Sequence, residues 1–256
     1  MKFTQIRNAT AHISYGGKKF LLDPVFAPKD AYPGFKETLN GHLNWPTVVL
    51  PFSIEDMLKV DAVIVTHTHP DHFDEVAMKE IPKDMPMFVQ NSSDKEIVAN
   101  AGFTNITIMG ENSSFENIKL SITKGQHGSN EAMEACGELL GVVSGVVLSC
   151  ENEKTVYIAG DTVWNEYVED AINKYTPDIM ILNAGDAQLA DGSSIIMGKE
   201  DTLKAHNANP NAIIIATHME AVGHSTISRK ELIDFTKENN IEKFVLVPED
   251  GETVEV

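Results

Sequence analysis

Two kinds of hydrophobic pattern divide the chain. From Phe3 to Asp23, short apolar and polar alternations predict three strands: FTQIRNA, AHISY and KKFLLD. Gly16-Gly17 between the last two is a hairpin signal. From Pro24 to Phe52 the periodicity stops. This segment holds Pro24, Pro28, Pro33, Pro46 and Pro51, with Gly34, Gly41 and His42. It reads as a long surface loop, and a loop of this length in a compact domain is usually functional or disordered.

Regular patterning then resumes. Ser53 with Asp56 reads as a capping box opening a short helix. DAVIVT suits a fully buried strand. EVAMKEI has helical spacing and stops at Pro82, and MFV is a short strand. Ser93 with Glu96 predicts the start of a helix that ends at Gly102. ITIMG and FENIKLSITKG read as two strands. VVSGVVLSC and KTVYIAG predict a second hairpin, turning at Glu151 to Glu153. Then come a helix over 165–175, the strand DIMILN, a helix over 199–206, the strand AIIIAT, a helix over 228–238 and the strand KFVLV. Ser228 with Glu231 is another capping box. Both halves open with antiparallel strands and continue with alternating helices and strands. That order predicts the α/β (α+β) class: two mixed sheets face to face, helices outside, one domain over residues 1–256.

Composition narrows the chemistry. The 256 residues are enough to bury a sizeable core. The formal charge of −18 repels phosphate backbones, which argues against nucleic acid as a partner. A small anionic substrate stays open, because bound cations invert the local sign. Cys136 and Cys150 form neither a disulfide framework nor a zinc-ribbon spacing. MKFTQIRNAT has no signal-peptide core, and no apolar run is long enough to span a bilayer. The reading is a cytoplasmic protein with no membrane partner.

The densest chemistry lies in VIVTHTHPDHFD, residues 63–74, which contains His67, His69, Asp71 and His72. Imidazole nitrogen and carboxylate oxygen suit zinc and similar divalent ions. Four such groups in six residues cannot all face one way on a helix or strand, but they can on a loop. Pro70 helps to fix that turn. Three later apolar runs also end in a ligand-type residue: His127 after SITKG, Asp161 after VYIAG and His218 after AIIIAT. Strand ends held by rigid sheets are good places to build an open site. Two divalent ions are therefore expected, zinc by default, with manganese or iron as alternatives. His67, His69 and His127 are assigned to one ion, Asp71, His72 and His218 to the other, and Asp161 between them.

THTHPDHFD, followed in order by His127, Gly160-Asp161-Thr162 and His218, resembles the signature of the metallo-β-lactamase fold superfamily of hydrolases. NATAHISYGGKKFLLDP resembles the opening strands of the branch that includes ascorbate-6-phosphate lactonase. The resemblance covers nearly the whole chain. It implies a four-layer αββα sandwich and the ligand assignment just given. It also implies hydrolysis of a small ester, lactone, amide, thioester or phosphoester by a hydroxide held between two ions. The exported β-lactam-hydrolysing members carry a signal that is not seen here. The diiron flavoprotein branch has a glutamate where this chain has His69, and nothing resembles the nucleic-acid-binding arm of RNA-processing members. Members like the lactonase often self-associate, so a homo-oligomer is expected.

Remaining candidates carry two readings each. Asp71 is expected to accept a proton as well as bind metal. His224, in MEAVGHSTISR, acts on the leaving group or merely caps a helix. Asp23 holds a ligand histidine by its free ring N–H or is a turn residue. Asn183 and Asp186 contact substrate or form a turn. His42, with Trp45, covers the pocket from the loop at 24–52, which is the expected substrate selector. His12 and His206 read as structural, the methionines as core fillers, and Glu220 as a surface carboxylate. No basic cluster marks a phosphate pocket, since Lys199, Lys204, Arg229 and Lys230 are scattered. Two competing classes are a non-catalytic metal-binding scaffold or sensor and a diiron oxidoreductase. The second needs a cofactor domain that is not seen here.

Overall fold

The computed structural model describes residues 1–256. The first half of the chain runs β1 (Lys2–Arg7), β2 (Thr10–Tyr15), β3 (Lys18–Leu22), α1 (Ile54–Met57), β4 (Ala62–Val65), α2 (Glu75–Glu80), β5 (Met87–Val89), α3 (Ser92–Asn100) and β6 (Ile106–Ile108). The second runs β7 (Ser113–Phe115), β8 (Ile118–Lys124), α4 (Asn130–Leu140), β9 (Ser144–Ser149), β10 (Val156–Ile158), α5 (Glu166–Tyr175), β11 (Ile179–Asn183), α6 (Lys199–Ala208), β12 (Ile213–Thr217), α7 (Arg229–Glu238) and β13 (Val245–Leu246). The last strand, β14 (Thr253–Glu255), returns to the first sheet. The strand orders are β14-β1-β2-β3-β4-β5-β6 and β13-β12-β11-β10-β9-β8-β7. Each sheet is antiparallel at one end and parallel at the other.

Period-two alternation explains the layers. Successive strand residues point to opposite faces, so a strand buried on both sides feeds two cores. Phe20, Leu22 and Ile64 join Val146, Leu148, Val156, Ile158, Ile179 and Ile181 in the core between the sheets. The alternate residues Leu21, Val63 and Val65 pack outward with Met57, Ala77 and Val98 of α1, α2 and α3. On the other sheet Val147, Tyr157, Met180 and Leu182 pack outward with Val168, Ile172 and Ala205 of α5 and α6. Helix, sheet, sheet and helix thus form four layers, as the strand order predicts. Truncating one such aliphatic residue to alanine costs about 2–5 kcal/mol.

The segment after β3 has no regular elements but is firmly held. Arg7 is fully buried, and its guanidinium donates to the carbonyls of Val48 (3.1 Å), Val25 (3.0 Å) and Ala27 (2.8 Å). Asp74 accepts from the N–H groups of Phe26 (3.1 Å) and Ala27 (2.7 Å) and from the Tyr32 hydroxyl (3.3 Å). Phe35, Trp45 and Tyr32 stack in sequence, with centroid spacings of 5.1 and 4.8 Å.

Several elements differ from the sequence expectation. FENIKLSITKG is not one strand but the β7–β8 hairpin, turning at Glu116, whose φ is 56°. The cap of α3 is Asn91, whose side chain accepts from the Asp94 N–H, rather than Ser93. Ser53 does cap α1, but Asp56 accepts from its hydroxyl, not from its backbone N–H. Ser228 and Glu231 form the full reciprocal box. Helix α4 was not expected, because Cys136 breaks it with φ −132° and ψ 17° and interrupts its period. No helix is long and apolar enough to cross a membrane.

Candidate metal centre

The apolar strand β4 is buried throughout, and the chain leaves the sheet after Thr66. The His69 carbonyl accepts the N–H groups of His72 and Phe73, both at 2.9 Å, which closes a turn around Pro70. Asp74 ends the loop by capping α2, accepting from the Ala77 N–H at 2.7 Å. The three later strands, β8, β10 and β12, bring His127, Asp161 and His218 to the same place. Glycine is required next to Asp161: a Cβ on Gly160, whose φ is 69°, would lie 2.4 Å from the Ser144 carbonyl oxygen. Gly185 is equally constrained, since its Cβ would meet the His218 carbonyl oxygen at 2.0 Å.

The donor atoms converge in three overlapping groups: His67, His69 and His127; His67, His72 and Asp161; and Asp71, His72 and His218. His67 Nε2 lies 3.1 Å from His69 Nδ1. His218 Nε2 lies 3.2 Å from His72 Nε2 and 3.4 Å from Asp71 Oδ2. Around an ion with bonds of about 2.0–2.1 Å, tetrahedral donors sit roughly 3.3 Å apart. The spacings fit that geometry. Asp161 Oδ2 occupies the middle, 3.1 Å from His72 Nε2, 3.7 Å from His127 and His218 Nε2, and 3.9 Å from His67 Nε2.

The outer ring atoms account for the inward nitrogens being free to bind a cation. His72 Nδ1 donates to Asp23 Oδ2 at 2.8 Å. His127 Nδ1 donates to the Ile195 carbonyl at 2.8 Å. His67 Nδ1 faces the Thr66 hydroxyl at 3.1 Å, and that hydroxyl donates to Asp23 Oδ2 at 2.8 Å. Each bond keeps the ring proton on Nδ1, so that in the neutral ring Nε2 carries the lone pair and points inward. On the far side, Asn183 Nδ2 donates to Asp161 Oδ1 at 2.5 Å.

The charge balance asks for cations. Burial, with the neighbouring rings of His72 and His69, pushes His67 well below the ordinary histidine range. Burial also opposes charge on His72, but Asp161 and Asp23 outweigh it and raise that ring well above its ordinary value. Burial disfavours the Asp161 carboxylate, yet His72 and His218 hold it well below the ordinary carboxylate range. The Asp161 carboxylate is thus ionised beside a His72 ring that holds a proton, and a divalent cation bound there would take the place of that proton.

A cavity of about 240 Å³ opens over these groups. Its polar floor includes His69, Asp71, His127, Asp161 and His224. Its walls include Phe35, Leu139, Leu140, Leu189 and Ile195. Residues 18–219 match the family described as the Beta-lactamase superfamily domain.

The chain belongs to that superfamily.

It is 49% identical over 254 residues to the UPF0173 protein YddR of Bacillus subtilis (strain 168), covering 99% of each chain. It is similar to the crystal structure of an isothiocyanate hydrolase from Delia radicum gut bacteria. The TM-score is 0.97 and the identity 45%, over 100% of this chain and 99% of that one. It is also similar to a possible metal-dependent hydrolase from Veillonella parvula DSM 2008. There the TM-score is 0.98 and the identity 45%, with 100% and 99% covered. These relatives carry the superfamily's metallo-β-lactamase fold and do not single out the lactonase branch.

The other sequence candidates fall in different places. His224 lines the cavity, is 6% exposed, and meets the Phe35 ring edge-on at 5.1 Å. Burial pushes it down to about 4, so the ring is neutral at pH 7. His42 is exposed and does not line the cavity. Asp186 knits its own turn, accepting from Gln188, Ser194 and Thr226. Glu220 is not free either: it pairs with buried Arg229 at 2.6 Å, and Arg229 also pairs with Asp250. His12 bonds the Met57 carbonyl from within the core. Sequence reasoning gives no role to Asn8, whose side-chain N–H₂ donates to the Asp71 carbonyl (3.0 Å) and lies 3.4 Å from His218 Nε2. It also misses Thr66 and the cavity walls. Asn8 sits at the start of the NATAHISY stretch, where an asparagine in a tight turn is its only signal.

Proposed function

We propose that this superfamily member is a metal-dependent hydrolase. Its overlapping donor groups hold two divalent ions, and its substrate is a small neutral electrophile, with isothiocyanates the first class to test. One observation carries the reading: Asp161 Oδ2 sits among four inward-facing imidazoles on the floor of an apolar-walled cavity. His67, His69 and His127 would hold one ion, Asp71, His72 and His218 the other, and Asp161 would face both. Zinc fits the donor set best, ahead of manganese and iron. When bound, such a pair supplies a water acidic enough to ionise near neutral pH and polarises the electrophile.

The chain's own groups would do the rest. Asp23, Thr66 and the Ile195 carbonyl hold the rings in register. Burial opposes charge on Asp71, but His218 and His72 outweigh it and hold the carboxylate well below its ordinary range, so at the cavity it would orient a water by accepting a hydrogen bond. His224 makes no hydrogen bond to protein through its ring, and its N–H is available to the departing nitrogen. For an isothiocyanate, the water oxygen bonds to the central carbon, the carbon–nitrogen bond breaks, and nitrogen keeps the electron pair. Both water protons end on nitrogen, giving R–NH₂ and O=C=S from R–N=C=S and H₂O.

The similarity to a relative described as an isothiocyanate hydrolase supports this class. Neutral lactones, suggested by the opening-strand resemblance, are the second. Phosphorylated sugars fit less well. Lys36 is the only lysine or arginine lining the cavity, and it is exposed beside Glu37.

The deciding experiment loads the protein with zinc or manganese, measures bound metal, and follows amine release from benzyl isothiocyanate. Turnover that disappears in a folded Asp161→Ala variant supports the reading. Two bound ions with no turnover of isothiocyanates, lactones or thioesters would favour the scaffold. Bound iron with visible absorption would favour the oxidoreductase.

A further inference from the structure

Of the three small apolar clusters beside the three large ones, two border the cavity. One joins Leu140 to Ala132, Leu189 and Ile195. The other joins Trp45 to Val25 and Val222, with Phe35 packed against it. Leu140, Leu189 and Ile195 of the first line the cavity, Phe35 lines it from the second, and Leu139 extends the wall although it is 54% exposed. The main sheet cores need neither cluster, yet both border the space above the ligand residues.

We infer that this wall is a subsite for an uncharged, apolar alkyl or aryl group of the substrate. The reacting carbon lies on the His/Asp floor and the organic group lies along Phe35 and Leu139. The inference deepens the proposed hydrolysis and rests on it for the identity of the reacting group.

The wall is fixed relative to the floor. Phe35 stacks on Trp45 with an interplanar angle of 22°, and Trp45 packs on Tyr32. The Tyr32 hydroxyl donates to Asp74, the residue that ends the ligand loop and caps α2. Ile195 serves both parts: its side chain is in the wall and its carbonyl orients His127. A charged end group would lose water against these side chains without finding a buried partner. A methylene would gain about fourfold in affinity or kcat/KM by leaving water. Phe35 also touches His224, so its replacement would disturb two functions. Leu139 is the cleaner probe, because an exposed leucine can be changed without emptying a core.

The test uses two homologous series on the metal-loaded protein. One is n-alkyl isothiocyanates from methyl to hexyl, read as kcat/KM. The other is N-alkylformamides of the same lengths, read as calorimetric binding. Both are expected to rise about fourfold per methylene until the wall is covered, and Leu139→Ala is expected to flatten the rise. An ω-carboxylate of equal length should lose at least about tenfold. Isothiocyanate turnover with a flat series would overturn the subsite and leave the reaction standing. A formamide slope without turnover would keep the subsite and overturn the isothiocyanate reading. Neither slope nor turnover would overturn both.

Discussion

The Asp23 carboxylate accepts a hydrogen bond from His72 Nδ1 at 2.8 Å, joining the end of β3 to the loop that carries His67, His69, Asp71 and His72. Its other oxygen accepts the Thr66 N–H at 2.7 Å, so one side chain sets both the start of the loop and the pose of a ring within it. Asp23 has a φ of 41°, a left-handed value that asparagine tolerates. Asp23→Asn should therefore fold but lose the charge that holds the His72 ring. Metal affinity is expected to fall about 10–100-fold. Competition with a chelator checks this, and an unchanged affinity would remove Asp23 from any supporting role.

Asp161 Oδ2 lies within 3.9 Å of the rings of His67, His72, His127 and His218. Asp161→Asn keeps the shape but removes the anion among the imidazoles. Bound metal should drop from about two ions per chain towards one or none, as read by elemental analysis after dialysis. Two tightly held ions in the variant would contradict a shared role for this carboxylate.

Arg7 should matter more for stability than an unpaired arginine suggests. Its guanidinium satisfies three backbone carbonyls of the 24–52 segment from a fully buried position. Arg7→Ala leaves those acceptors without partners, at about 1–3 kcal/mol for each that water cannot reach. Urea unfolding should show the loss. Limited proteolysis should cut first within 28–50, while the cleavage pattern of the sheets stays the same.

A pH dependence follows from His12. The ring is buried, and burial outweighs its bond to the Met57 carbonyl, so its pKa lies below the ordinary 6.5. The unfolded chain then binds a proton more readily than the folded one. The contribution of His12 is complete above pH 6.5 and is lost as pH falls through the lowered folded value. The urea midpoint of the native chain should fall from pH 7 to pH 5 more steeply than that of His12→Gln. Parallel curves would show that this ring does not couple to folding.

The convergence of His67, His69, Asp71 and His72 is legible in the sequence because its information is local: four donor-type side chains fall in six residues. His127, Asp161 and His218 are legible because each follows an apolar strand. The layering is legible too, since buried strands such as AVIV and IMILN differ in length and branching from the amphipathic helices between them. The cavity walls are not. Phe35 and Leu139 come from segments without a clear period, and only tertiary packing brings them to one space. The break at Cys136 hides α4 for the same reason. Asn8, Thr66 and the Ile195 carbonyl act through single hydrogen bonds, and one such bond leaves no pattern in a sequence. Arg229 looks like a free surface cation because its partners, Glu220 and Asp250, are aligned only by the fold.

The donors come from both sheets: His67 to His72 follow β4 of the first, and His127, Asp161 and His218 follow strands of the second. Neither sheet alone presents the full set. An ion gripped there would therefore act as a rivet across the seam, and whatever free energy it releases on binding would oppose parting of the two halves rather than fraying of either. Stripping the metal should then loosen the joint first, so that how tightly the sandwich is shut becomes a gauge of how fully the centre is loaded.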